Sequence, residues 1–545
     1  MNGMKKLLAG ASLCVLAASA AMPAGAASHK NPKYDRVLVI SVDGLHAVDL
    51  TNYVASHPAS TLAALAGHGI VYPNALTTGP SDSFPGLTAF MTGGTPKSAN
   101  VFYDVSYDRK MYAPGSNCQG LPGAQTTYDE SIDVDKTRYD GGGTLGDVDS
   151  QINPANLPMA IVNGSCVPVY PHNFLRVNTI FERIRAHGGR TAWADKHPAY
   201  DLVNGPSGSG VEDLFAAEVD SNDTTDGMTV YASDPSWFSL ADTVTGQDTT
   251  FGYHSVARND LRKVHAVLNQ IDGYLSTDDS HSGQQVGVPT IFGMNFQAVS
   301  VGQKLAVGNP ADPLDAGLVG GYADANATPN NGLQFGLDFV DSELGAFVSE
   351  LHAQGLDQNT LIIVSAKHGQ SPIDVTQRQA VDDSPYAATP GMSSGQSTGN
   401  GSYTTDDVGL VWLAPSQEKG QYKAARAYLE SEASTLGITQ LLDKSQLTKL
   451  YPNPFGNSRT PDFIAITKHG LIYTSGTKLA EHGGFSSDDR NVALVVSNPA
   501  IAAATSGANV ETRQIAATVL DVLGINPKEL DGAREENTKP LPGGY

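Results

Sequence analysis

A chain of 545 residues with 56 acidic against 34 basic side chains, formal net charge -22, is long enough for a large core and too acidic to offer a broad nucleic-acid groove. A small phosphate-bearing ligand stays open, because a bound metal ion can reverse the field locally.

The first six residues carry Lys5 and Lys6, residues 7–22 are apolar and uncharged, and Ala24-Gly25-Ala26-Ala27 supplies small residues. This is the pattern of a secretory signal over 1–27. Its apolar run is short for a membrane anchor, the competing reading. The expected location is secreted or periplasmic, with no membrane contact after signal removal. Of three cysteines, Cys118 and Cys166 remain, and an even pair in an exported chain predicts one disulfide.

The β-branched run Arg36–Val42 stops at Asp43-Gly44 and reads as a buried strand of a parallel sheet. A helix follows over Thr61–Gly67, a strand from 69, and a short helix over 85–91, opened by Ser83 and closed by Gly93-Gly94. Further on the pattern predicts a helix at 177–187, a strand at 190–193, a helix at 254–271 and a strand at 290–296. A long helix at 336–354 leads to a core strand at 361–365, with strands at 463–467 and 492–497 and a last helix at 512–523. This alternation predicts a doubly wound, mostly parallel α/β sheet with helices on both faces. Residues 28–545 then form a single domain. Loop-rich insertions at about 102–171 and 202–252 are rich in turn residues and lie over one edge of the sheet.

Four motifs fall where open α/β sheets hold ligands, outside the carboxyl ends of strands. Asp43-Gly44 offers a carboxylate beside a residue that permits close approach, although a lone Asp-Gly is more often a turn. In Ser81-Asp82-Ser83-Phe84-Pro85-Gly86, Ser83 stands at a helix start, where free N–H groups favour an anion and hence a nucleophile. Taken alone, this motif favours an ordinary helix cap. Lys367-His368-Gly369 follows a strand and supplies an imidazole able to bind a metal beside a fixed cation. Glu481-His482-Gly483-Gly484 adds a second histidine on flexible backbone. Lys196 and His197, after the strand ending at Trp193, are candidate substrate-binding residues, with a solvated loop as the alternative.

The order of these motifs resembles the alkaline phosphatase superfamily, and within it the type I phosphodiesterase/nucleotide pyrophosphatase family. The likeness is carried by Asp43-Gly44, Ser83-Phe84-Pro85 with Thr92-Gly93, Arg459-Thr460-Pro461-Asp462 and Glu481-His482-Gly483-Gly484. The resemblance implies an exported, metal-dependent hydrolase of phosphodiesters or related phosphate esters, acting through a covalent phospho-serine on Ser83. It implies a small phosphate-ester substrate and a divalent metal, zinc, as one or two ions. Asp43, Ser83 and His368 match ligands of one ion, and His482 matches a ligand of the other.

The chain departs from that family at three places. Lys367 stands where the family has an aspartate before His-Gly. Val299 and Gln303 fall where a second metal would take an aspartate and a histidine four residues apart, leaving Gln303 as a substrate-binding candidate. Gly86 replaces an asparagine that contacts the phosphate. These departures predict that the ammonium of Lys367 points into the site and supplies part of the charge of a missing ion. They also keep open a sulfatase-like single-metal hydrolase, or a catalytically silent binding protein of the same fold.

Overall fold

The computed structural model describes residues 33–221, 252–277, 281, 283–392, 399–451 and 454–545. The expected signal peptide and most of the second expected insertion lie outside them. In chain order the strands that matter are β1 Arg36–Val42, β2 Gly69–Val71, β3 Ala192–Asp195, β4 Asp213–Ala216, β5 Ile291–Phe296 and β6 Thr360–Ser365. They are followed by β7 Ser402–Thr405, β8 Val408–Trp412, β9 Ile438–Asp443, β10 Phe463–Thr467, β11 Leu494–Ser497 and β12 Ala504–Thr505. The helices are α1 Ser83–Thr92, α2 Tyr253–Ile271, α3 Ala298–Lys304, α4 Asn331–Ala353, α5 Glu418–Ser431 and α6 Gln514–Val522.

Eight strands form the central sheet in the order β12-β2-β11-β6-β1-β5-β3-β4. The five from β6 to β4 are parallel, while β11 runs antiparallel to β6 and to β2. The sheet is thus mixed but mostly parallel, with an apolar core on each face. β1 lies in the middle because it is apolar on both faces. Val37 and Val39 join the core that holds Phe84, Leu87 and Phe90 of α1 and Ile515 and Val519 of α6. Leu38, Ile40 and Val42 join the opposite core with Val264 and Val267 of α2 and Leu333 and Leu337 of α4. Period-two alternation on a strand covered on both sides produces this division. Cutting Ile40, which is 0% exposed, to alanine would cost about 2–5 kcal/mol.

The first insertion has no separate apolar core. Its Tyr128, Ile132, Val148 and Leu157 pack into the same core as α1, and Cys118 is bonded to Cys166. The segment 463–467 is a strand as expected, but it lies in a second sheet, antiparallel and ordered β7-β8-β10-β9. That sheet has its own cluster, with Val411, Leu429, Phe463 and Ala465. Among the described residues no helix is long and apolar enough to cross a membrane.

Candidate active site

The carboxyl ends of four neighbouring parallel strands, β6, β1, β5 and β3, bring the chemistry together. Asp43 follows β1, Lys367 and His368 follow β6, Asn295 and Gln297 bracket the end of β5, and Asp195 with Lys196 closes β3. Registers that pair Ser41 with both Asn295 and Ser365 place the segments after these strands beside one another.

Asp43, 1% exposed, is the hub. Its Oδ2 accepts from Asn295 Nδ2 at 3.1 Å and from Gln297 Nε2. The same oxygen lies 3.4 Å from Lys367 Nζ and 3.8 Å from His368 Nε2. Burial alone would raise this carboxyl, but positive charge led by Lys367 outweighs it and holds the group well below the usual carboxylate range. Asp43 Oδ1 is buried with no hydrogen-bond partner. A buried carboxylate oxygen left bare costs stability unless something meets it.

Ser83 is the first residue of α1, and it is not the cap. Asp82 takes that role, accepting from Phe84 N through its side chain. Ser83 Oγ is therefore released from capping, and it lies 3.2 Å from His368 Nε2. His368 Nδ1 is 2.9 Å from the carbonyl of Gly369. A carbonyl only accepts, so Nδ1 carries the proton and the lone pair of Nε2 faces Ser83. Burial pushes His368 down to about 4, which keeps the imidazole neutral.

Lys367 is 0% exposed and points inward. Its Nζ donates to the hydroxyl of Tyr200 at 3.0 Å, sits 4.4 Å from the centroid of that ring, and lies 3.8 Å from Asp195 Oδ1. Lys196 reaches the same place from β3. Its Nζ donates to Gln297 Oε1 at 3.3 Å, and burial with the nearby Lys367 charge lowers its pKa. Gln297 thus bridges Lys196 and Asp43. His197 is buried with Nδ1 unpartnered, its ring against the edge of Tyr200 at 4.8 Å, and burial beside Lys196 and Lys367 holds it well below its usual pKa.

His482 packs against His368, ring centroids 4.0 Å apart and the rings tilted by 35°. Its Nδ1 is 3.6 Å from Asp82 Oδ1, and both atoms are buried without hydrogen-bond partners. Gln303 is engaged elsewhere. Its amide nitrogen donates to Gly44 O and to Tyr322 OH, each at 2.8 Å, and its oxygen accepts from Gln370 at 2.7 Å. Val299 is 0% exposed in the apolar core. Gly86 has a packing reason: a Cβ there would stand 2.1 Å from the carbonyl oxygen of Lys367.

The donors available to a metal follow from this geometry. Asp43 Oδ1, Ser83 Oγ and His368 Nε2 make a set of oxygen and nitrogen donors that suits one divalent ion. The second position suits one less well, since Val299 offers no donor and the amide of Gln303 is committed, which leaves His482 Nδ1 with Asp82 Oδ1 3.6 Å away. At a different place, His254, Asp312 and Asp315 bring ligand atoms within 4.8 Å of one another, the one such His/Cys/Asp/Glu group among the described residues. Asp315 also accepts from the backbone N–H of Tyr253 and of His254 at the start of α2.

Sequence reading passed over three contributors. Gln297 lies two residues before Val299, and Tyr200 ends the stretch that supplied Lys196. Lys304 follows Gln303, and its Nζ is 2.8 Å from Glu481 Oε2. Gln297 is two positions from Val299, Tyr200 three from His197 and Lys304 one from Gln303, and none belongs to a motif of its own.

A family model described as type I phosphodiesterase / nucleotide pyrophosphatase matches residues 37–239 and 324–489. The fold is similar to the crystal structure of a four-substitution mutant of alkaline phosphatase PafA, with 14% identity, a TM-score of 0.59, and 94% of this chain and 99% of that chain covered. Wild-type alkaline phosphatase PafA gives 14% identity and a TM-score of 0.56 over 91% of this chain and 97% of that one. An inactive murine ectonucleotide pyrophosphatase / phosphodiesterase 5 in complex with AMP gives 12% identity and a TM-score of 0.49, over 93% and 97% of the two chains. No curated protein matches the chain in sequence.

Proposed function

We propose a mechanism for a chain that belongs to the type I phosphodiesterase/nucleotide pyrophosphatase family and is by that membership a phosphoric ester hydrolase. Ser83 Oγ attacks the phosphorus of a small phosphodiester or related phosphate ester. The hydroxyl proton of Ser83 passes to solvent, the Oγ–P bond forms as the ester P–O bond breaks, and the leaving oxygen takes a proton from water. A water molecule then cleaves the phospho-serine and restores Ser83. The observation that carries this reading is the convergence of Ser83 Oγ on His368 Nε2 at 3.2 Å, with Asp43 Oδ2 3.8 Å from that nitrogen.

A divalent ion, zinc by its donor set, would be held by Asp43, Ser83 and His368, and would lower the pKa of the Ser83 hydroxyl and neutralise phosphoryl charge. Lys367, fixed by Tyr200 and Asp195, presents a cation that needs no reorganisation as charge develops on the phosphoryl oxygens. Lys196, Gln297 and Asn295 hold the carboxylate of Asp43 ionised and in place. Export as a secreted or periplasmic protein is supported by the N-terminal signal pattern and by the disulfide.

The hydrogen-bond geometry of His368 favours a second reading, in which Nε2 takes the proton of Ser83 directly and no metal takes part. One experiment separates these. Purified protein is analysed for metal and assayed on an aryl phosphodiester, an aryl phosphomonoester and an aryl sulfate, before and after chelation, and the stalled enzyme is mapped by mass spectrometry. Metal-dependent diester turnover with phosphate on Ser83 is the expected result. Turnover that survives chelation favours the Ser83–His368 pair, and sulfate turnover a sulfatase-like enzyme. No turnover under any condition would make the chain a silent binding protein.

A further inference from the structure

The first insertion meets the edge of the central sheet over a set of oxygens that only accept. Asp133, in the insertion, is 4% exposed, and both of its carboxylate oxygens are buried without a hydrogen-bond partner. Glu218 lies two residues beyond the edge strand β4 and is 0% exposed. Its Oε1 accepts from Asp220 N at 2.7 Å, and its Oε2 is buried without a partner. The two carboxyl groups lie within hydrogen-bonding distance of each other. Gln151 stands beside them. Its Nε2 donates to the carbonyls of Asp140 at 2.9 Å and of Ala216 at 2.8 Å, which leaves Oε1 buried and unpartnered. A Cβ built on Gly141 would stand 3.3 Å from Asp133 Oδ2 and 3.3 Å from Gln151 Cβ, so these two side chains flank one glycine. Glu130 and Asp129 add negative charge around Asp133, with the exposed Lys136 acting against them. Ionised carboxylates and an amide oxygen cannot satisfy one another. A proton shared between Asp133 and Glu218 would meet two of these oxygens and leave the rest bare. One hard cation meets carboxylate and amide oxygens together.

We propose that Asp133, Glu218 and Gln151 form a calcium site that pins the first insertion to the edge of the central sheet. The ligand set is oxygen alone, which suits calcium and gives zinc no nitrogen or sulfur. Magnesium keeps several of its waters, and these oxygens are dry. The residue after Glu218 carries the effect inward, because Val219 N donates to Lys196 O at 2.9 Å. An ion on Glu218 therefore also steadies the segment that brings Lys196 to Gln297 and Asp43. The site shares no residue with Asp43, Ser83 and His368, and it does not rest on the phosphate-ester reading.

The test titrates calcium chloride calorimetrically into the chelated full-length protein. Two carboxylates are a modest ligand charge, so the parent should bind with a dissociation constant of about 10⁻³ M or tighter, the range of extracellular calcium modules. Asp133→Asn and Glu218→Gln should each weaken binding about tenfold or more, the size expected for losing a charged ligand. Asp43→Asn, which alters the catalytic donors, should leave it unchanged. Without calcium the two isosteric variants should melt no lower than the parent, because each removes one of two facing carboxylates. Calcium should raise the melting temperature of the parent and of neither variant. Should a variant fail to fold, the melting of Asp43→Asn decides, since it keeps this site: a rise with calcium and none with magnesium supports the inference, and no rise, or an equal rise with magnesium, overturns it. A parent that binds no calcium would also overturn it, and the carboxyls would then share a proton. So would parental affinity in both Asp133→Asn and Glu218→Gln, or a loss confined to Asp43→Asn, which would place the ion at the catalytic donors.

Discussion

The ammonium of Lys367 lies 3.4 Å from the carboxylate of Asp43, at the carboxyl ends of adjacent parallel strands. A lysine has no lone pair for a metal when protonated, so this contact replaces a ligand by a charge. The site is then suited to one ion, with Asp43 Oδ1 as the oxygen left to meet it. Metal analysis should find about one divalent ion per chain at this site, following the donor count. Lys367→Ala should lower turnover by about 10²-fold, as for loss of one preorganised electrostatic contact, while metal content stays the same. Two ions lost together from Asp43→Ala would contradict this count.

Ser83→Ala should reduce turnover by about 10³-fold or more, in line with removal of a nucleophile. Its melting temperature should not fall, because the cap of α1 is Asp82. A variant that loses stability and keeps activity would mean that Ser83 serves the helix and not the chemistry.

His368 is expected to set the acid limit. Its pKa is pushed down to about 4 by burial, against 6.5 for the free side chain. The protonated imidazole can neither bind an ion nor accept from Ser83, so activity is present above the folded value and lost as pH falls through it. Between pH 4 and 6.5 the unfolded chain binds the extra proton, so stability from this group rises with pH and is lost on acidification. A bound ion displaces the limb further down, since it competes with the proton. The profile of kcat/KM should show its acid limb at about 4 or below; a limb near 6.5 would place His368 outside the mechanism.

The disulfide closes a loop with a sequence separation of 48 residues. On the chain-entropy model such a closure stabilises by about 4 kcal/mol. Thiol titration of the unfolded, unreduced protein should find no free thiol at Cys118 or Cys166. Replacing both by alanine should lower stability in denaturant by a few kcal/mol, with turnover preserved, because the loop packs on the core and not on Asp43.

Much of this arrangement was legible in the sequence because apolar strands of a parallel sheet announce both themselves and their ends. Arg36–Val42 ends at Asp43, and the strand predicted at 361–365 ends at Lys367-His368. The α/β class followed from the same runs. The small antiparallel sheet was not legible beyond the strand at 463–467. Its strands Ser402–Thr405 and Ile438–Asp443 are short and half-exposed, and strands of that kind are defined by their neighbours more than by their own pattern, while the buried run Val408–Trp412 is too short to be told from a helix segment by pattern alone. The cap of α1 was misassigned by one residue, since aspartate and serine are both good caps and the sequence places them side by side. Gln297 and Lys304 escaped notice for a different reason. An amide or an ammonium becomes a functional group only when the fold sets a carboxylate beside it.

Gly86 tests how the first turn of α1 and the end of β6 depend on each other. The family resemblance places an asparagine here, in contact with the phosphate, so restoring it looks like a repair. The geometry opposes this. A Cβ at position 86 would stand 2.1 Å from the carbonyl oxygen of Lys367, 2.7 Å from its carbonyl carbon and 3.0 Å from its Cα. These are backbone atoms between two core elements, and no rotamer change relieves the contact. That same carbonyl accepts from the hydroxyl of Thr77 at 2.5 Å, which fixes it from another side. Either α1 or the segment carrying Lys367 and His368 must then move, and both moves separate Ser83 from His368. Gly86→Ala should therefore cost about 1–3 kcal/mol, the usual size for overpacking a tight contact. Its turnover should fall with the loss of the 3.2 Å approach of Ser83 to His368. Gly86→Asn should do at least as much damage as Gly86→Ala, and should not improve KM for an aryl phosphodiester. An Asn variant that is both stable and more active would show that the helix has room to shift, and that the glycine was not required by Lys367.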